Sequence, residues 1–139
     1  MCKQLIFSFV VSVLILSCKK SAPKSILETR KMYLVGYGVT STNWQLKGLT
    51  VDATSQTLSG SQIGYIKQYF ATSNFTDTDG AIGSWSLPIT DSLKEVFTNY
   101  PSGVIVKQNY YINFLSYDSL SLTYLLNGKI TNARFKAIR

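Results

Sequence analysis

Apolar and polar residues alternate along most of this chain, most clearly towards its end. Tyr110, Ile112 and Phe114 share one face, and Leu120, Leu122 and Tyr124 share one face of the next strand. A period of two is what a strand with one buried face requires. Residues 115–118 (Leu-Ser-Tyr-Asp) read as the turn between these strands. Asn127-Gly128 reads as a tight hairpin, because both central positions of the favoured two-residue turn need φ > 0. The last strand sets Ala133, Phe135 and Ala137 against Arg134 and Lys136. Three consecutive antiparallel strands are predicted.

Upstream the alternation continues with interruptions. Trp44 and Leu46 lie on one parity, Leu49 and Val51 on the other, and Gly48 stands where the parity switches, as a bulge would produce. Residues 64–70 (GYIKQYF) are rich in strand formers, but their faces are ambiguous. Ala81, Gly83, Trp85 and Leu87 share a face, with Pro88 expected to end the strand. Residues 92–97 (SLKEVF) read as a strand, with a short helix as the alternative, and residues 31–38 (KMYLVGYG) as one more strand. Turn residues recur every eight to twelve positions or so. The pattern predicts an all-β domain, a small antiparallel barrel or sandwich of about eight strands.

The amino terminus has a different rhythm. An apolar run from Leu5 to Leu16, broken only by Ser8 and Ser12, follows Lys3. Its 12 residues are too few for the ~20 that span a bilayer. They match the length and layout of a secretory signal peptide. The run ends in Leu16-Ser17-Cys18, followed by Lys19 and Lys20. That ending resembles the lipobox of bacterial lipoproteins, a family in which the chain is cut before the cysteine and the cysteine is acylated with lipid such as palmitate. The resemblance implies a signal peptide over 1–17, a lipid on Cys18, and a membrane as partner. Lys19, where some lipoproteins carry a retaining aspartate, implies the outer membrane, with its periplasmic face preferred to the cell surface. Residues 18–31, with Ser21-Ala22-Pro23, read as a flexible tether, leaving 32–139 as one domain of ordinary size. Removing Cys2 with the signal would leave Cys18 as the only cysteine, so the fold has no internal disulfide to rely on.

Charge changes the picture less than its total suggests. The chain carries 14 Lys and Arg against 7 Asp and Glu, a net +7. Lys3 accounts for one charge, and Lys19, Lys20, Lys24, Arg30 and Lys31 against Glu28 for four more. Only +2 remains for 32–139, without a basic stripe, which argues against nucleic acid. A basic tether suits anionic lipid headgroups instead. The absence of histidine excludes an imidazole base, a Ser-His triad and an imidazole metal site. The six acids of the domain are Asp52, Asp77, Asp79, Asp91, Glu95 and Asp118, and most fall where solvated turns are expected. Asp77–Gly80 (DTDG) lacks the anchoring ligands of a calcium loop and reads as a hairpin. No catalytic residue, metal site or cofactor is expected.

Several short patterns together resemble the lipocalin-like lipoproteins of Gram-negative bacteria. They are Trp44, Asp79-Gly80, Gly83-Ser84-Trp85, Tyr111-Ile112, and Leu115-Ser116-Tyr117-Asp118-Ser119-Leu120, spread over residues 43–139. The chain departs from that family in lacking a glycine two residues before Trp44. The resemblance implies an up-and-down barrel of eight antiparallel strands and no common activity. Such a barrel is just wide enough to fill with side chains or to hold one small ligand. The candidate lining is Trp44, Tyr65, Trp85, Tyr110, Phe114, Tyr124 and Phe135, which either line a cavity or pack against one another. Arg134, the natural clamp for a carboxylate, has the parity of the outer face. Two readings follow: a non-enzymatic, membrane-anchored carrier of a small hydrophobic ligand, or an envelope module with a filled barrel that contacts a protein partner. An enzyme would need an acid pair in a pocket, and Asp77 with Asp79 is better explained by a turn.

Overall fold

A computed structural model describes residues 25–99 and 104–139. The expected signal peptide, Cys18 and the tether up to Lys24 lie outside the described residues. Helix α1 spans Ile26–Val35, followed by strands β1 (Ser41–Val51) and β2 (Thr54–Gln56) and a single helical turn, α2 (Gly60–Ile63). Seven strands complete the chain: β3 (Ile66–Phe70), β4 (Asn74–Asp77), β5 (Ile82–Ile89), β6 (Ser92–Phe97), β7 (Val106–Leu115), β8 (Ser119–Leu126) and β9 (Lys129–Ile138). Every neighbouring pair from β3 to β9 is antiparallel and consecutive in sequence, and β1 pairs with both β3 and β9. The result is a closed up-and-down barrel of eight strands, consistent with a lipocalin-like fold. β2 is a short flap on the far end of β1. Closure removes free strand edges, the aggregation hazard of an open sheet.

The turns follow the expected chemistry. Asn127 and Gly128 both take positive φ, 52° and 77°, between β8 and β9. In the β4–β5 hairpin Asp77 Oδ1 accepts from the amides of Asp79 and Ala81, and Gly80 sits at φ 86°. The parity switch in β1 is a bulge: Leu46 faces Phe135, but Gly48 faces Arg134. The Arg134 guanidinium covers Gly48 so closely that an added Cβ would lie 2.7 Å from it.

Three expectations need correction. Residues 31–38 were expected to be a strand and 18–31 a tether, but 26–35 form one helix. Ser25 caps it, accepting from the Glu28 amide while the Glu28 carboxylate accepts from the Ser25 amide. This reciprocal box stabilises the first turn, and Gly36 at φ 91° ends the helix. Pro88 does not end β5, which reaches Ile89; the ladder with β6 shifts register between Ser86 and Ile89, where proline can donate no hydrogen bond. Phe114 does not share a face with Tyr110 and Ile112. A register shift between Ile112 and Phe114 adds Asn113 to the outer face, where it donates to Thr123 Oγ1 at 2.8 Å. Phe114 is therefore 55% exposed, and Leu115 takes its place inside.

α1 stoppers one end of the barrel. Leu34 and Val35 are buried there, and the Trp44 indole donates to the Leu34 carbonyl at 2.8 Å. Arg30 pairs with Asp91 of the β5–β6 turn at 3.1 Å. Above this floor Trp44, Tyr69, Phe75, Trp85 and Leu93 fill the interior, Tyr69 meeting Trp85 edge-on at 6.0 Å. The lower barrel is solid. Among the described residues no helix is long and apolar enough to cross a membrane.

Candidate functional site

At the opposite end the interior opens into a cavity of about 250 Å³. β1 supplies Leu46 and Leu49; β7 and β8 supply Tyr110, Leu122, Tyr124 and Leu126; β9 supplies Ala133 and Phe135. Tyr65 and Lys67 enter from the start of β3, Gln62 from α2, and Asp79 from the β4–β5 hairpin. Of the seven candidate lining residues, Tyr65, Tyr110, Tyr124 and Phe135 meet here. Trp44 and Trp85 are buried in the solid floor instead, each indole bonded to a backbone carbonyl, Trp85 to that of Phe70 at 3.0 Å. Phe114 lies outside the barrel, for the reason given above.

The aromatic lining forms two pairs across the cavity. Tyr65 and Phe135 lie 6.5 Å apart at 50°, and Tyr110 and Tyr124 lie 5.2 Å apart at 66°. Tilted and edge-on arrangements are the favourable ones for ring quadrupoles. The Tyr65 hydroxyl donates to Asp77 Oδ2 at 2.9 Å, which ties the β3 side of the mouth to the hairpin.

Beneath the cavity lies a polar cluster that the sequence reading did not contain. Glu95 of β6 points into the barrel and is wholly buried, the exception among six acids of which most were expected in solvated turns. Lys67 of β3, also buried, reaches across to it, with Nζ 3.0 Å from Oε1 and 2.8 Å from Oε2. The Tyr110 hydroxyl donates to Oε2 at 2.9 Å and accepts from Lys67 Nζ at 3.3 Å. The Tyr69 hydroxyl donates to Oε1 through a short bond. Each Glu95 oxygen thus receives two donors. The ammonium is bounded by the rings of Phe75 and Tyr110, 5.3 and 5.2 Å from their centroids. Two charges moved out of water lose several kcal/mol of hydration each, and only a network satisfied to this degree offsets the loss.

The cluster sets the local electrostatics. Burial above all, and then the Glu95 carboxylate, raise the hydroxyl of Tyr124 and push those of Tyr69 and Tyr110 well above the usual phenol range. Burial and then Asp77 do the same to Tyr65. All four phenols stay neutral at physiological pH and can serve the cavity as donors and acceptors. Lys67 and Tyr110 belong both to the cluster and to the cavity lining, so the floor of the cavity is polar and rigid while its walls are mostly apolar. Such walls with a few fixed polar groups are the usual make-up of a small-molecule site.

Asp77 is occupied by its turn and by Tyr65, Asp79 is exposed at the rim, and Glu95 is sealed behind Lys67. Among the described residues no three His, Cys, Asp or Glu side chains converge on a possible metal position. Comparison of the chain with protein-family models, with curated proteins and with solved structures finds no match. A barrel by itself implies no activity, so any function has to be argued from the cavity.

Proposed function

We propose that the protein is a non-enzymatic carrier, anchored to the bacterial outer membrane through a lipid on Cys18, that holds one small, largely apolar molecule in the mouth of its barrel. The observation that carries this reading is the cavity of about 250 Å³ above a solid, stoppered floor. A barrel of this size can be filled by its own side chains; here the filling stops at the Lys67–Glu95 layer. The volume falls below the roughly 300–1,000 Å³ of sites for drug-sized ligands, so the cargo is small.

The anchor rests on Leu16-Ser17-Cys18 and the apolar run before it. Cys18→Ala should leave the chain unprocessed or soluble. Membrane fractionation and intact mass unchanged by that substitution would contradict the lipid anchor. The carrier reading is tested by native mass spectrometry of protein taken from its own host. A retained small molecule supports it, and retention unchanged by Tyr124→Ala and Phe135→Ala, which alter the cavity wall, would count against it.

A second reading, an envelope module that docks a partner protein, draws on the outer face. β7 exposes Tyr111 and Phe114, and the following turn exposes Tyr117. Cross-linking from these three positions in whole cells would capture one defined protein under that reading.

A further inference from the structure

The reading of the cavity as a carrier site leaves open what head group its cargo bears, and the charges around the cavity address that point. Among the described residues Lys67 is its only cationic lining residue, and it has no capacity left for a ligand. Its three N–H groups are directed at the two Glu95 oxygens and the Tyr110 hydroxyl. A carboxylate or phosphate entering the cavity would have to take Lys67 from a buried partner, leaving Glu95 unpaired at large cost. Arg134 cannot substitute, because it lies on the outside over Gly48. The surrounding carboxylates outnumber the single ammonium. Glu95 lies beneath the floor, Asp77 behind Tyr65, and Asp79 at the rim, where its own carboxylate makes no hydrogen bond to a described residue. Counted over the lining groups Lys67 and Asp79 and the two carboxylates bonded to lining residues, Glu95 and Asp77, the formal charge is −2.

The walls add to this preference. Tyr65, Phe135, Tyr110 and Tyr124 bring four aromatic rings to a single small volume, arranged as two tilted pairs. Ring faces attract cations, most strongly where water is excluded. Lys67 already demonstrates the preference inside this barrel, its ammonium lying between the rings of Phe75 and Tyr110. The Tyr65 hydroxyl donates its proton to Asp77 and keeps its lone pairs for an incoming N–H.

We propose that the cavity is a site for a small organic cation, an amine carried on an apolar body, with the aromatic walls taking the body and Asp79 with the Tyr65 hydroxyl taking the ammonium. The inference rests on the carrier reading and adds the sign of the charge. It excludes a fatty acid as the cargo.

The test uses the full chain and three probes of nearly equal shape: 2-phenylethylammonium, 2-phenylethanol and 3-phenylpropionate. Isothermal titration should show the ammonium binding at least about tenfold tighter than the alcohol, with the carboxylate weakest. Asp79→Asn should weaken the ammonium several-fold and leave the alcohol unchanged. Tyr124→Leu, which keeps an apolar wall but removes a ring face, should weaken the ammonium more than the alcohol. Equal binding of ammonium and alcohol, or tightest binding of the carboxylate, overturns the cation assignment while leaving the carrier reading in place. Binding of none of the three overturns the carrier reading, and this inference with it.

Discussion

Replacing Glu95 by glutamine removes one charge and almost no volume, so its cost isolates the electrostatics of the barrel waist. The Lys67 ammonium would keep its burial and lose its counterion, a change that costs about 3–5 kcal/mol at buried pairs. One glutamine oxygen can still accept from Tyr69, but the amide nitrogen would then face both Lys67 and Tyr110. The Tyr110 proton would be left without an acceptor, adding roughly 1–3 kcal/mol. Against a total stability of about 5–15 kcal/mol for a domain, Glu95→Gln should remove roughly a quarter or more of the margin. Adding Lys67→Met removes the orphaned charge and leaves the amide to serve the two tyrosines. The double variant should recover most of the loss, because replacing both members of a buried pair is often near neutral. Urea unfolding followed by tryptophan fluorescence suits the question, since Trp44 and Trp85 are both interior. A loss below about 1 kcal/mol for Glu95→Gln would refute the reasoning, as would a double variant less stable than either single one.

Three further outcomes follow from other parts of the molecule. Gly83→Ala should lower Tm by roughly 5–15 °C in calorimetry, because the new Cβ would lie 2.1 Å from the Val96 carbonyl oxygen and 2.7 Å from the Phe75 ring; an unchanged Tm would mean that β5 and β6 can part freely. Leu34→Ala should cost about 2–5 kcal/mol in denaturant unfolding, whereas Arg30→Ala should cost under ~1 kcal/mol because its pair with Asp91 is 26% and 44% exposed. At high pH, the four tyrosines whose folded pKa lies above the ordinary 10.0 contribute stability that is complete below pH 10 and is lost as pH rises beyond it. Each contributes a slope of about 1.4 kcal/mol per pH unit, so the loss should be steep. Of the nine tyrosines, absorbance at 295 nm should then show these four ionising only together with the fluorescence change of unfolding, and reversible ionisation of all nine in the folded protein would contradict their burial.

The barrel was legible in the sequence because its turns and its alternation agree. Asn127-Gly128, Asp79-Gly80 and the glycine in β1 each fall where the ladder reverses or bulges. What escaped has physical reasons. The bulge in β7 carries no glycine; it is held by Asn113 bonding outward to Thr123, a contact that exists only once β8 is in place. α1 was hidden by the apolar residues 32–35, although Ser25-x-x-Glu28 is the signature of a capped helix start. The polar cluster was missed because charged residues were assigned to solvent one at a time. Lys67 shares its parity with Tyr65 and Tyr69, and Glu95 shares its own with Leu93 and Phe97. One charge of each sign on two otherwise apolar faces is a pattern that only pairing across the barrel explains. The cavity was anticipated as a possibility of the fold, but which aromatics would line it depends on height along the barrel axis, and parity says nothing about height.

The stopper helix also decides which way the molecule looks. The chain before Ser25 joins α1 at the closed end, so a lipid on Cys18 would suspend the barrel by its base. Six residues separate Cys18 from Ser25, so the seven Cα–Cα steps between them reach at most about 25 Å. The opening would then face away from the bilayer that holds the protein, towards whatever lies across the compartment. A vessel hung this way would take up and give off its cargo on the far side of the gap, and the membrane beneath it would serve only as a mooring.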